Sequence, residues 1–219
     1  MSDVLGTSAS LVHALATAGL TWTDLCLSAS EIILFGSRAA GLAREGSDWD
    51  LLCVGHGRSL ATPGLDLVWV SPSELTTPNW LTGELAGHVA AYGRSLRGDP
   101  TWMDAVVCGP DAATRKTRCL TARLAAVERA WPLFTAPYRY KHLDLIRRDL
   151  QRFAMLARGE PVPPSPCLDA AWHEHAKPEA ELLALARAAR LDTPFLTAQL
   201  APRLGAPALP ATSFTSRRQ

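Results

Sequence analysis

Three aspartates and one Gly-Ser pair are the residues of this 219-residue chain whose types and spacing could do chemistry. Asp48 and Asp50 form a D-x-D pair that opens the apolar run Leu51-Leu52-Cys53-Val54. On a strand, residues two apart leave the same face, so both carboxylates would stand side by side with Trp49 packed on the other face. Two adjacent carboxylates repel, and one tends to stay protonated unless a cation intervenes. A hard divalent ion removes that conflict, and Mg²⁺ takes carboxylate and phosphate oxygens as ligands. Asp66 lies inside a second apolar run, Leu65 to Val70. A lone acid there is costly unless it is paired or binds metal. If the two strands are neighbours, three carboxylates meet. Asp48 and Asp50 would then bridge to metal and nucleotide, and Asp66 would hold a second metal or act as base toward an acceptor hydroxyl.

Gly36 and Ser37 follow the apolar run Ile32-Ile33-Leu34-Phe35 and precede a helix-compatible stretch, Arg38 to Arg44. Backbone N–H groups at a helix start bind phosphate, and glycine lets the phosphate approach closely. Ser37 adds a hydroxyl donor. Gly41 and Gly46 fit a helix that ends early and turns back toward Asp48. Taken singly, each feature has a plainer meaning: a turn, a solvated strand end, an edge-strand charge. Their order and spacing together point to a phosphate cradle beside a three-carboxylate metal site, and so to transfer of a nucleotidyl group.

Phe35-Gly36-Ser37-Arg38-Ala39-Ala40-Gly41 followed by Ser47-Asp48-Trp49-Asp50-Leu51-Leu52 resembles the signature of polymerase-β-like nucleotidyltransferases, particularly the minimal and aminoglycoside-type bacterial enzymes. Leu65-Asp66-Leu67-Val68 is similar to that family's third-acid strand, and the resemblance spans about residues 30–100. Trp49 stands where the family usually has a small aliphatic residue, and the short gap from Asp50 to Asp66 demands a compact hairpin. The resemblance implies Asp48, Asp50 and Asp66 as catalytic metal ligands for Mg²⁺ or Mn²⁺. It also implies an NTP substrate, with ATP foremost, held by Gly36, Ser37 and Arg38 and by a basic residue of the helical region. Lys141 is the expected residue, because Tyr138-Arg139-Tyr140-Lys141 sits at a helix start, with Arg147 and Arg148 as further candidates.

The expected fold is α+β: a small mixed-sheet core flanked by helices, then a helical, bundle-like domain. The expected division is a catalytic domain at 1–110, a helical domain at 111–200 and a disordered tail at 201–219. Strands are predicted over 31–35, 49–55 and 65–70, and helices over 8–19, 81–92, 113–130, 138–158, 168–175 and 178–191. Residues 159–166, rich in proline, read as a stiff linker. Residues 102–107 are left as strand or helix start.

Charge is uneven. Residues 1–110 carry −6 and residues 111–219 carry +7, which suits an acidic half that binds metal and a basic half that meets triphosphate. No apolar run is long enough for a membrane span, and the N-terminus lacks a signal core. Five scattered cysteines without a C-x-x-C pattern suggest reduced thiols in the cytoplasm. His173-Glu174-His175 looks metal-like, but residues two apart on a helix point away from each other. Glu84 and His88, four apart, could orient an acceptor or form a plain surface pair, and Tyr92 reads as core.

The sequence therefore predicts an enzyme that moves NMP from NTP to an acceptor hydroxyl and releases pyrophosphate. The acceptor is a small molecule, an RNA or a protein. Duplex DNA is not expected, for want of a large basic domain. The alternative is a non-catalytic, antitoxin-like module of the same fold that acts on a protein partner.

Overall fold

All three apolar runs of the N-terminal half become strands in the computed structural model, which describes residues 9–173. Helices α1 (Ala9–Thr17) and α2 (Trp22–Ser28) lead into β1 (Ala29–Phe35). The start of α2 is fixed by a capping box, in which Thr21 and Asp24 each accept the other's backbone N–H. A four-residue helix α3 (Gly36–Ala39) follows, then β2 (Trp49–Gly55), β3 (Leu60–Thr62) and β4 (Leu65–Val70). The helices α4 (Pro72–Leu75), α5 (Pro78–Leu81) and α6 (Glu84–Tyr92) precede β5 (Arg94–Arg97). Ser71 and Thr77 cap α4 and α5, each with proline at the first position, where the missing N–H costs nothing.

The sheet order is β3-β4-β2-β1-β5. β2 and β4 run parallel, and every other pairing is antiparallel. This mixed sheet with helices around it is the core expected from the sequence. The short step from Asp50 to Asp66 is solved by topology: the chain crosses to the three-residue edge strand β3, turns at Pro63-Gly64, and β4 inserts between β3 and β2. Gly64 makes the turn with φ +85°, a backbone that side chains disfavour.

Alternation along the strands sends side chains to two cores. Ile32, Leu34, Trp49, Leu51, Cys53, Leu65 and Leu67 pack with Leu11, Leu15 and Leu25 of α1 and α2. Ile33, Phe35, Leu52, Val54 and Val70 pack with Leu75, Trp80, Ala86 and Val89 of α4 to α6. Trp49 thus lies on the face opposite Asp50, buried under the first pair of helices.

The structure settles four local details. The helix after Gly36-Ser37 stops at Ala39, because Gly41 takes φ +72°. The helix expected over 81–92 starts at Glu84 with Gly83 as its N-cap, while Leu81 closes the preceding α5, whose C-cap is Thr82. Residues 94–97, for which no element is predicted, form β5 on the open edge of β1. The undecided stretch after Pro100 is a 3₁₀ turn, Thr101–Ala105, with Trp102 buried and donating to Glu31 at 3.0 Å.

The C-terminal half is helical: α7 (Pro110–Ala130), a 3₁₀ turn at Trp131–Leu133, α8 (Ala136–Ala157) and α9 (Ser165–His173). The chain divides into two units. Among the described residues the first runs to Ala112 and takes in Gly159–Pro164, and the second holds Ala113–Arg158 and resumes at Ser165. The second unit has its own core, with Leu120, Leu124 and Val127 from α7, Ile146, Leu150 and Phe153 from α8, and Leu168 from α9. The proline-rich stretch read as a linker buries Val162, Pro163 and Pro164. Ser8, the helix expected over 178–191, the tail and His175 lie outside the described residues. Among the described residues no helix is long and apolar enough to cross a membrane.

Candidate active site

Asp50 is the residue on which the strands converge. It pairs with Phe35 at the end of β1 and, on its other side, with Asp66 of β4. Because β2 and β4 are parallel and in register, Asp50 and Asp66 leave the same sheet face as neighbours. Asp48 lies two residues before Asp50, where the chain enters β2. Its Oδ1 accepts the Gly64 N–H at 2.9 Å, and Trp49 N–H donates to the Gly64 carbonyl at 2.9 Å. The tight turn that shortens the β2–β4 connection therefore also fixes Asp48.

Burial, reinforced by Asp66 and Asp48, pushes the Asp50 carboxyl up to about 6. Arg38 opposes that rise only in part. Burial, then Asp48, raises Asp66 too. The three carboxylates thus feel one another, yet among the described residues no three His, Cys, Asp or Glu side chains converge as ready-made metal ligands. The donor set is all carboxylate oxygen, which suits Mg²⁺ or Mn²⁺ rather than a softer ion.

Gly36 has φ +70°, and its missing side chain matters twice. A Cβ there would lie 2.8 Å from Asp50 Cγ and nearer still to Oδ2. The Asp50 carboxylate lies where a side chain on residue 36 would begin, so the strand and the turn come this close only because residue 36 is glycine. Ser37 follows in the first turn of α3, where N–H groups have no intrahelical acceptor.

Arg38 is a clamp. Its Nε donates to the carbonyls of Ser47 and Asp48, both at 3.1 Å, and Nη2 to Ser47 at 2.6 Å. Its guanidinium lies 4.4 Å over the Trp49 ring. This accounts for a large aromatic residue between the two acids. Trp49 is the floor on which Arg38 rests while it holds the loop that delivers Asp48.

His88 was weighed with Glu84 as an acceptor-orienting pair. Its ring instead reaches the cradle, with Nε2 3.2 Å from the Gly36 nitrogen. Its neighbours on α6, Ala86, Gly87 and Val89, are buried, and nothing in the spacing marks His88 as part of the cradle. Tyr92, read as core, is buried, with its ring centroid 5.4 Å from that of His88.

The basic candidates lie in the second unit. Lys141 is exposed on α8. Arg147 is buried and donates to Asp144 at 2.5 Å and Asp169 at 2.6 Å, while Arg148 also pairs with Asp169. Burial raises the Asp169 carboxyl, but the hydrogen bonds from Arg147 and Arg148 outweigh it and leave the pKa below its ordinary value. These two arginines staple α8 to α9. All five cysteines are free, and burial, with Cys26 adding, pushes Cys53 up to about 12, so it is an inert thiol.

A mixed sheet that presents three acids beside a glycine turn defines a nucleotidyltransferase core. Residues 22–75 match the family described as "Nucleotidyltransferase domain", a segment that holds Gly36, Ser37, Asp48, Asp50 and Asp66. That match is consistent with the polymerase-β-like resemblance. No curated protein matches the chain. A solved structure described as "Crystal structure of the toxin-antitoxin with AMP-PNP" is similar at 17% identity, covering 50% of this chain and 94% of that one, with a TM-score of 0.27. At so low a score the superposition bears on neither fold nor function.

Proposed function

We propose that this chain is a metal-dependent enzyme that transfers NMP from NTP to an acceptor hydroxyl and releases pyrophosphate. The observation that carries this reading is the register match of Asp50 with Asp66, beside a glycine whose missing Cβ makes room for the Asp50 carboxylate. Asp48, Asp50 and Asp66 would hold Mg²⁺ or Mn²⁺. When bound, the cation would offset triphosphate charge and ease deprotonation of the acceptor.

The chain's own residues supply the rest. Gly36 makes room for the Asp50 carboxylate beside the turn. Ser37 donates its hydroxyl and backbone N–H to phosphate oxygens. Arg38 holds the loop of Asp48 and contributes positive charge beside Asp50. Asp66, with its raised proton affinity, takes the acceptor's proton as the new O–P bond forms. The bond from the α-phosphorus to the bridging oxygen then breaks, and pyrophosphate leaves with that electron pair. Lys141, exposed and cationic, is the proposed ligand from the helical half for the phosphates. ATP is the proposed nucleotide, and residues 1–110 form the proposed catalytic domain. The five free cysteines support a reducing, cytoplasmic setting.

The test is incubation with each α-labelled NTP, Mg²⁺ and a cell lysate, followed by separation of protein, RNA and small molecules. Label in one fraction, lost with Asp50→Asn, supports transfer and names the acceptor class. Nucleotide binding without any transfer would move the chain to the binding-module reading.

A further inference from the structure

The turn at Gly36 is tied across the first unit to the proline-rich strap at 159–164, and His88 is the tie. His88 Nε2 lies 3.2 Å from the Gly36 nitrogen, and Nδ1 lies 2.7 Å from the Val162 carbonyl oxygen. The two partners leave one protonation pattern. A backbone N–H can only donate, so Nε2 must accept. A carbonyl can only accept, so Nδ1 must carry the proton. The ring is held between Phe35, at 6.0 Å and nearly perpendicular, and Tyr92 at 5.4 Å. On the strap, Pro161, Pro163 and Pro164 have no N–H, and Val162 is buried, so its carbonyl depends on a side-chain donor.

We propose that His88, as the neutral Nδ1–H tautomer, is a positioning residue for nucleotide binding: it locks the Gly36 turn by anchoring that turn's amide to the 159–164 strap. This deepens the nucleotidyltransferase reading and rests on it. The Gly36 amide is committed to His88, so the phosphate contacts fall to Ser37. Without the imidazole, Gly36 could leave φ +70° and shift Ser37 relative to Asp50. A strap more than 120 residues along the chain from the turn thereby bears on nucleotide affinity.

Two substitutions separate the halves of the tie. Gln can place its carbonyl oxygen near Nε2 and accept from Gly36. Asn can place its amide near Nδ1 and donate to Val162, but it leaves Gly36 without an acceptor. Hydrogen exchange at the Gly36 amide should quicken at least tenfold in His88→Asn and stay within threefold in His88→Gln. Binding of ATP with Mg²⁺, by calorimetry on folded full-length protein, should weaken about tenfold in His88→Asn and at most threefold in His88→Gln. Long-range ¹H–¹⁵N spectra of the unliganded wild type should show the Nδ1–H tautomer. An Nε2–H tautomer, or equal Gly36 exchange in both variants, overturns the tie. Normal ATP affinity in His88→Asn overturns the positioning role. A wild type that binds no NTP instead sinks the nucleotidyltransferase reading, and the exchange and tautomer measurements still decide the tie.

Discussion

Asp50 and Asp66 occupy matched positions on parallel neighbouring strands, so two carboxylates leave one sheet face side by side. The pairing costs stability. Burial, then Asp66, raises the Asp50 carboxyl to about 6, well above its unfolded value. A group with a raised folded pKa contributes stability when protonated. That contribution is present below the unfolded value and is lost as pH rises through about 6.

Asp50→Asn should therefore stabilise the protein at pH 7. With allowance for the carboxylate's partial exposure the gain is about 1 kcal/mol, or roughly 2–4 °C in Tm. The wild type should lose stability between about pH 4 and 6, and the variant should show a flatter profile there. Thermal melts across that range check this. The same variant should lose transfer activity by at least ~100-fold.

Asp66→Asn should reduce kcat by about 100-fold while NTP affinity changes only a few-fold. Its proposed part is to receive the acceptor's proton, which matters in the transition state rather than in nucleotide binding. Survival of turnover within a few-fold would make Asp66 a structural neighbour of Asp50.

Gly36→Ala should fold less stably and lose cation-dependent NTP binding. The added Cβ overlaps the Asp50 carboxylate and sits on a backbone at φ +70°. Ser37→Ala should weaken NTP binding by only about 1 kcal/mol, since it removes one donor among several. Parallel calorimetry on the two variants separates space from hydrogen bonding.

Lys141→Ala should raise the NTP KM, leave the acceptor KM nearly unchanged and show a smaller effect at high salt. Arg147→Ala is a different experiment. It removes one of the two arginines that pair with Asp144 and Asp169 in the second unit, leaves Arg148 on both, and should cost about 1 kcal/mol of stability. An NTP KM that does not move in Lys141→Ala would return Lys141 to the solvated face.

What could be read from the sequence follows the range of the interactions. β1, β2 and β4 were legible because each is a dense apolar run, and a sheet strand buried on both faces needs little else. Asp48 and Asp50 were legible because spacing alone sets their common face. β5 was not legible: Arg94-Ser95-Leu96-Arg97 carries little strand signal, and it pairs because β1 offers an open edge. The Arg38 clamp on the Ser47 and Asp48 carbonyls, and the His88 bridge to Val162, depend on backbone atoms brought together by folding. No spacing rule encodes them. The proline-rich stretch misled for the same reason: its composition reads as a linker, while its burial is set by what it meets.

The most direct measurement of the central claim follows two labels on one NTP. With Mg²⁺ and an acceptor fraction, α-labelled phosphate should move to the acceptor, and β,γ-labelled phosphate should leave as pyrophosphate in equal amount. Both should vanish with chelator or with Asp50→Asn. Appearance of the γ-label on the acceptor, or α-transfer undiminished by chelator, would contradict a metal-dependent nucleotidyltransferase.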